Sequence, residues 1–300
     1  AQGLGFAELY LNNGSGSYSL STSSTFQGVQ NSAVAFADVD GDNDLDLLSS
    51  GRNLLNQRYT NLYKNNGSGT FTVVASTPFP NVENGSIAFA DVDGDGDQDV
   101  FITGQTSTST YIANLYLNDS LGNFTLVAGQ PFPGMQYSDV VFVDVDGDND
   151  LDLVCSGQIS SGLESTIYLN NGSGSFVKDL SNSLTGLYIG SVNATDLEGD
   201  GDVDLVLTGL NAAEERLTLI YENDSTGGFT LLSSGNLRGV YNSAAALVDF
   251  TGNQNPDLLL TGLNNSGQAV AYFYGNQPCF PQSGTDSIVA CGSYTWIDGI

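Results

Sequence analysis

The sequence has no histidine, three cysteines, one tryptophan, one methionine and only six lysines and arginines in 300 residues. Without histidine, no serine or cysteine triad of the usual kind can form, and no zinc-peptidase or P-loop string is present. Six basic residues make no stripe that could displace counterions from a phosphate backbone, so nucleic acid is not an expected partner. No apolar run approaches the roughly 20 residues that a membrane-crossing helix needs, and helical periodicity is absent throughout. The chain opens with AQGLGF and no initiator methionine, which fits a secreted protein after signal cleavage and an arbitrary boundary alike.

What the chain does have is acid, 34 Asp and Glu for a net charge of −28, and 22 of these fall in five short runs. The first run is FADVDGDNDLDLLSSG from Phe36; variants begin at Phe89, Phe142, Ala194 and, with fewer acids, Leu247. The first acid of each run is Asp38, Asp91, Asp144, Asp196 or Asp249, at spacings of 53, 53, 52 and 53. A period that regular marks a repeat architecture, and 15 Phe with 14 Tyr exclude a disordered acidic chain.

Aligned on these acids, each repeat shows four strand-like segments. The first runs into the acidic loop (AVAFAD, SIAFAD, DVVFVD), and the second leaves it and stops at Ser-Gly or Thr-Gly. The third carries a tyrosine at 10, 63, 116, 168, 221 or 274 and enters tight turns such as NNGSG, where Asn and Gly supply positive φ. The fourth opens on Tyr18, Phe71, Phe124, Phe176 or Phe229. Four antiparallel strands per repeat predict an all-β propeller of five four-stranded blades over residues 1–277. The predicted closure takes the fourth strand of the last blade from the N-terminal YSLSTS, which leaves one tyrosine strand spare. Cys155 aligns with Ser49, Ile102, Leu207 and Leu260 and reads as a small core residue, whereas Cys279 and Cys291 leave a disulfide open.

Counted from its first acid, each loop offers oxygen side chains at positions 1, 3, 5, 7 and 9 around a glycine at position 4. In the first loop Asp38, Asp40, Asp42 and Asp46 can converge on one ion while Asp44 offers its backbone carbonyl. Several hard oxygens in a flexible loop suit Ca²⁺, and no histidine or nearby cysteine is available for zinc or copper. An EF-hand would close with an acid at position 12 between helices, whereas these loops close at position 9 between strands.

In these motifs the sequence resembles the FG-GAP/VCBS repeats, the calcium-loop blades of integrin-like propellers. The resemblance implies a calcium site in each loop. Its ligand positions are Asp38, Asp40, Asp42, Asp44 and Asp46; Asp91, Asp93, Asp95, Asp97 and Asp99; Asp144, Asp146, Asp148, Asp150 and Asp152; Asp196, Glu198, Asp200, Asp202 and Asp204. The fifth loop, with Asp249, Thr251, Asn253, Asn255 and Asp257, has two formal charges and is expected to be the weaker site. Beyond residue 277, TDSIVACGSYTWIDG is similar to segments of large surface proteins exported by the type IX system, which implies a different module from 278 and an extracellular, cell-surface location.

The connection before strand one should face away from the acidic loops. Its residues Gln30, Asn31, Asn84, Gln136, Tyr137, Tyr188, Tyr241 and Asn242 are candidate contacts for a glycan or protein ligand. The 12 acids outside the loops share no repeat position. The expectation is therefore a non-catalytic binding or adhesion module, then a structural surface scaffold, and third a polysaccharide-active enzyme or its accessory domain.

Overall fold

The computed structural model describes residues 7–232 and 237–277, and the backbone of 295–298; Cys279 and Cys291 lie outside the described residues. Every regular element among them is a strand, and no helix is long and apolar enough to cross a membrane. An N-terminal hairpin pairs β1 (Tyr10–Asn12) with β2 (Tyr18–Leu20). Five four-stranded units follow. Unit one is β3 (Gln30–Ala37), β4 (Asp46–Arg52), β5 (Arg58–Lys64) and β6 (Thr72–Val73). Unit two is β7 (Ile87–Ala90), β8 (Asp99–Ser107), β9 (Thr110–Leu117) and β10 (Thr125–Leu126). Unit three is β11 (Met135–Val143), β12 (Asp152–Ile159), β13 (Gly162–Asn170) and β14 (Phe176–Lys178). Unit four is β15 (Val192–Thr195), β16 (Asp204–Leu210), β17 (Arg216–Asn223) and β18 (Phe229–Leu231). Unit five is β19 (Tyr241–Val248), β20 (Asp257–Leu263), β21 (Ala269–Gln277) and β22 (Thr295–Asp298). Within each unit the strands pair antiparallel in chain order, and a Met135–Ile112 pairing joins units two and three into one sheet.

The second strands of units two to four are apolar on both faces because both faces are covered, and those of units one and five are covered more fully on one face than on the other. Leu48, Phe101, Val154, Val206 and Leu258 are all buried. Burying such a side chain is worth about 1.5–3 kcal/mol, so these strands carry much of the folding free energy. The fourth strands of units one to four are two or three residues long and mostly exposed, which leaves short segments at the outer edges. The four buried cores each lie between successive units. Leu48 and Leu62 of unit one, for example, pack with Ile87, Val100 and Tyr116 of unit two, and equivalent clusters join units two to three, three to four and four to five.

A second series of contacts links the starts of the first strands. Asn31, Asn84, Tyr137, Ile189 and Asn242 occupy one repeat position, each with φ between 46° and 55°. That left-handed conformation is unusual for residues other than glycine, and here it turns each N–H toward the neighbouring unit. Asn84 donates to the Asn31 carbonyl (3.0 Å), Tyr137 to Asn84, Ile189 to Tyr137 (3.0 Å) and Asn242 to Ile189 (2.8 Å).

The N-terminal closure differs from the sequence expectation. Tyr18–Leu20 pairs with the tyrosine strand Tyr10–Asn12 and not with β21, whose outer neighbour is Thr295–Asp298. The reason is local. Asn13 accepts the N–H groups of Ser15 and Ser17, so the intervening turn is fixed by its own residues and the short loop closes at small entropic cost. The spare tyrosine strand is thus the first one.

Strand one approaches strand two so closely that some positions admit no side chain. A Cβ on Gly190 would collide with the Thr208 carbonyl. Gly190→Ala should destabilise the protein by about 1–3 kcal/mol, the usual cost of overpacking, measured as a lower urea midpoint with an unchanged slope.

Candidate metal centres

The acidic loops are built as turns around their first and last acids. The position-1 carboxylates (Asp38, Asp91, Asp144, Asp196, Asp249) each accept two backbone N–H groups, from positions 4 and 6, at 2.6–3.0 Å. Both donor positions are left-handed, which explains glycine at position 4 and Asn, Gly or Gln at position 6. The position-9 carboxylates are buried and also use both oxygens. In loop three, Asp152 accepts the N–H of Val145 at 3.0 Å and that of Asn170, at the end of β13, at 2.8 Å. The same pair of bonds recurs at Asp46, Asp99, Asp204 and Asp257.

The asparagine that ends strand three then reaches across to the preceding unit. Asn118, Asn170, Asn223 and Asn276 donate Nδ2 to the carbonyls of Val39, Val92, Val145 and Leu197 at 2.8–2.9 Å. Each acceptor is position 2 of the preceding acidic loop. The carboxylate therefore ties its own loop to strand three, and the asparagine ties strand three to the loop next door.

Acids at positions 1, 3 and 5 of loop one, at 1, 3 and 9 of loops two to four, and at 3, 5 and 7 of loop four come together. Carboxylate oxygens lie within 4.8 Å in the groups Asp38, Asp40, Asp42; Asp91, Asp93, Asp99; Asp144, Asp146, Asp152; Asp196, Glu198, Asp204; and Glu198, Asp200, Asp202. Carboxylate oxygens of the first, second and fourth loops are buried with no hydrogen-bond donor: Oδ1 of Asp40, Asp44, Asp93, Asp97 and Asp202. A buried anionic oxygen without a donor is costly, so the donor set fits a hard divalent cation. At position 5 one oxygen, where it is Asp or Asn, accepts the N–H of position 7. At position 7 Asp97 and Asp202 also accept the hydroxyls of Ser120 and Ser225, which turns these side chains toward the turn after strand three.

The fifth loop offers no such cluster among the described residues. Asn253 donates to the Asn276 carbonyl and accepts the N–H of Asn255, while Thr251 hydrogen-bonds Asp249. The other loops are unequal too. Lys64 sits 2.9 Å from Asp40 in an ion pair and donates to the Leu121 carbonyl, so the first loop already holds one positive charge. Glu222 occupies the same repeat position in unit four, where Glu198, Asp200 and Asp202 help burial raise its pKa. Sequence reading placed both outside the sites, although each directly follows the strand-three tyrosine.

The proposed ligand residues lie at the opposite end of strand one from the acidic loops. Asn31, Asn84, Tyr137 and Asn242 meet through their backbones, as described, while their neighbours' side chains are engaged inside the protein. Gln136 is buried and donates to Gln158, Asn31 to Glu83, and Asn84 to Gln105. The Tyr137 and Tyr188 rings meet edge to face at 6.4 Å, and Tyr241 lies 5.0 Å under the Arg216 guanidinium. Gln30 pairs with Arg52 across β3 and β4. Arg52 and Arg58 hold the buried Glu83 at 3.0 and 2.6 Å, so their charges are spent between units one and two. Residues in or beside all five first strands line a cavity of about 450 Å³. Asp139 in its wall accepts the Ser86 hydroxyl (3.0 Å) and the Val192 N–H (2.9 Å), joining units two, three and four, and burial raises its pKa. Cys155 is buried, and burial pushes its thiol pKa up, as befits a core residue.

These observations define an all-β repeat protein with an acidic turn at one fixed place in every unit. Residues 3–49, 53–102 and 91–155 match the model of the FG-GAP-like repeat, and the chain belongs to that family. No curated protein matches it. Among solved structures, the crystal structure of an endo-arabinase from Bacteroides thetaiotaomicron aligns over 84% of this chain and 90% of its own, at 12% identity and a TM-score of 0.40. That relative is an enzyme, so the expectation of a non-catalytic binding and adhesion module is withdrawn; an alignment this loose assigns this chain no activity either. The physical gap in the expectation is plain. Missing histidine excludes triads but leaves carboxylate chemistry open, and Asp139 is an isolated carboxylate in a cavity wall.

Burial raises Asp99 to about 7, Asp152 to about 6 and Asp204 to about 8, the last helped by the hydrogen bond that its protonated carboxyl donates to Glu198. Folding thus favours their protonated forms, a contribution fully present below the unfolded value near 4 and lost as pH rises through 6 to 8. The chelated protein should melt progressively lower from pH 5 to pH 8, and added calcium should flatten that slope; a rising melting temperature in chelator would contradict it. Lys64→Ala should tighten divalent-cation binding in loop one about twofold to fivefold, the scale of an exposed ion pair, and Glu222→Gln should loosen loop four, both read by calorimetric titration.

Proposed function

We propose that the protein is a calcium-loaded β-propeller in which the metal loops lock adjacent blades together. The observation that carries this reading is the set of buried, donorless carboxylate oxygens at Asp40, Asp44, Asp93, Asp97 and Asp202, gathered beside other acids of their loops. A bound divalent cation supplies the missing positive charge. The chain's own residues do the rest: positions 1 and 9 shape the turn, positions 3 and 5 present oxygen, and the strand-three asparagine carries the constraint to the next blade.

Calcium suits the sites better than the alternatives because the donors are all oxygen and the turns are flexible, whereas magnesium demands tighter octahedral geometry and retains its water. Four loops keep the full acidic pattern and form the stronger sites, and the fifth is weaker. The blade reading is supported by the five first strands around one cavity and by the backbone bonds that pass from unit to unit. We place the protein outside the cell, where calcium is plentiful enough to fill modest sites.

A site filled at about tenfold its dissociation constant adds roughly 1.4 kcal/mol. Four such sites stabilise the fold by about 5–6 kcal/mol, so chelation should lower the melting temperature by about 10 °C or more. Elemental analysis should find about four calcium ions per chain, and Asp146→Asn should remove about one. Protein without bound calcium, melting identically in chelator and in millimolar calcium, would rule the reading out.

A further inference from the structure

The four inter-blade cores run from blade one to blade five, and the two end faces remain. On blade one, Val34 and Phe36 are 63% and 50% exposed; Ile87, Val140 and Val192, which match Val34 in blades two to four, are buried, and Phe89 and Phe142, which match Phe36, are half-buried. On blade five, Phe250 is 48% and Phe273 52% exposed, and their rings pack edge to face at 6.0 Å. Their counterparts Val92 and Leu115 in blade two, and Val145 and Ile167 in blade three, are buried. Both end faces thus carry the residues of a blade interface without the interface.

The N-terminal hairpin identifies what is absent. Tyr10, Asn12 and Tyr18 fall at the repeat positions of the strand-three tyrosine, the cross-linking asparagine and the strand-four aromatic. The hairpin also sits where the preceding blade's outer half sits elsewhere. Leu11 approaches Gly69 of blade one as Lys64 approaches Gly122 of blade two and Leu117 approaches Gly174 of blade three. Yet Tyr18 is 67% exposed, while Phe71, Phe124 and Phe176 at its position are buried. Asn65 adds an independent sign. It bonds the Leu45 carbonyl of its own loop, but the acceptor that Asn118, Asn170, Asn223 and Asn276 find on the preceding loop has no counterpart among the described residues.

We propose that the exposed faces of blades one and five are docking surfaces for the inner half of one further FG-GAP-like repeat, a strand, acidic loop and strand about as long as Gln30–Arg52, whose outer half is the hairpin β1–β2. The source is polypeptide joined directly ahead of that hairpin, because in all five blades strand two passes straight into strand three. The added loop would present its position-2 carbonyl to Asn65, and the ring would close with six blades. Blade five needs nothing from the hairpin, since Thr295–Asp298 already completes it. The inference rests on the blade reading but not on the identity of the metal.

The test fuses a copy of residues 135–158, the inner strands and loop of blade three, directly ahead of residue 1, which keeps the spacing to Tyr10 that blade three has to Tyr168. The original and extended chains are compared in calcium and in chelator, by binding of an apolar dye, melting temperature and light scattering. The extension should lower dye binding severalfold and raise the melting temperature by about 5 °C. Phe36→Asp and Phe273→Asp, at half-exposed sites of the original chain, should lower that chain's melting only slightly and abolish the gain in the extended one. Three outcomes would overturn the proposal: an extension that stays protease-sensitive, a gain indifferent to both substitutions, or an original chain that is a dimer with little dye binding. Loss of the calcium effect with the extension gain intact would count against the metal reading alone.

Discussion

The structure depends most on one buried carboxylate in each repeat. At Asp152 both oxygens are occupied by backbone N–H groups, one within the loop and one at the end of strand three. Because the asparagine at that strand end also holds the preceding loop, the bond network runs from unit to unit. Hydrogen bonds to an ionised acceptor are worth roughly 1.5–3 kcal/mol each, more than neutral ones. Burial opposes this, raising the pKa of the same carboxylates at Asp99, Asp152 and Asp204. The proposed cation would resolve the conflict by favouring the charged form that the backbone donors require. The acidic loops are therefore both turn-formers and the joints of the assembly, and stability and metal affinity are coupled in them.

The two ends of strand one serve different ends of the fold. At the loop end, charge is concentrated and needs a counterion. At the other, left-handed residues from Asn31 to Asn242 link the units by backbone alone, and the nearby polar side chains are consumed in pairs such as Glu83 with Arg52 and Arg58. The residues that looked available for a ligand therefore hold the scaffold together as well, and only those with exposed rings retain freedom to meet a partner.

Much of this was legible in the sequence, because a 53-residue period aligns five copies and lets strand, turn and acid be read by position. The strands and loops appear where the repeat placed them. Terminal closure was not legible, since the partner of Tyr18–Leu20 depends on competition between a local hairpin and a distant edge. The roles of Lys64 and Glu222 were not legible because both lie outside the acidic run; directly after the strand-three tyrosine, they meet the loop from the neighbouring strand. The first asparagine of NNGSG read as a turn residue, and its link to the preceding unit is visible only in three dimensions. The non-catalytic expectation rested on the missing histidine and on outlying acids that share no repeat position, and neither observation excludes carboxylate chemistry.

The central claim is that the acidic loops are calcium sites, and anomalous scattering from a crystal grown in calcium tests it most directly. The account predicts a peak in each of the first four loops, about 2.3–2.6 Å from carboxylate oxygens at positions 3 and 5. Loops that hold only water or lysine at those places, with carboxylates protonated and paired to one another, would contradict it.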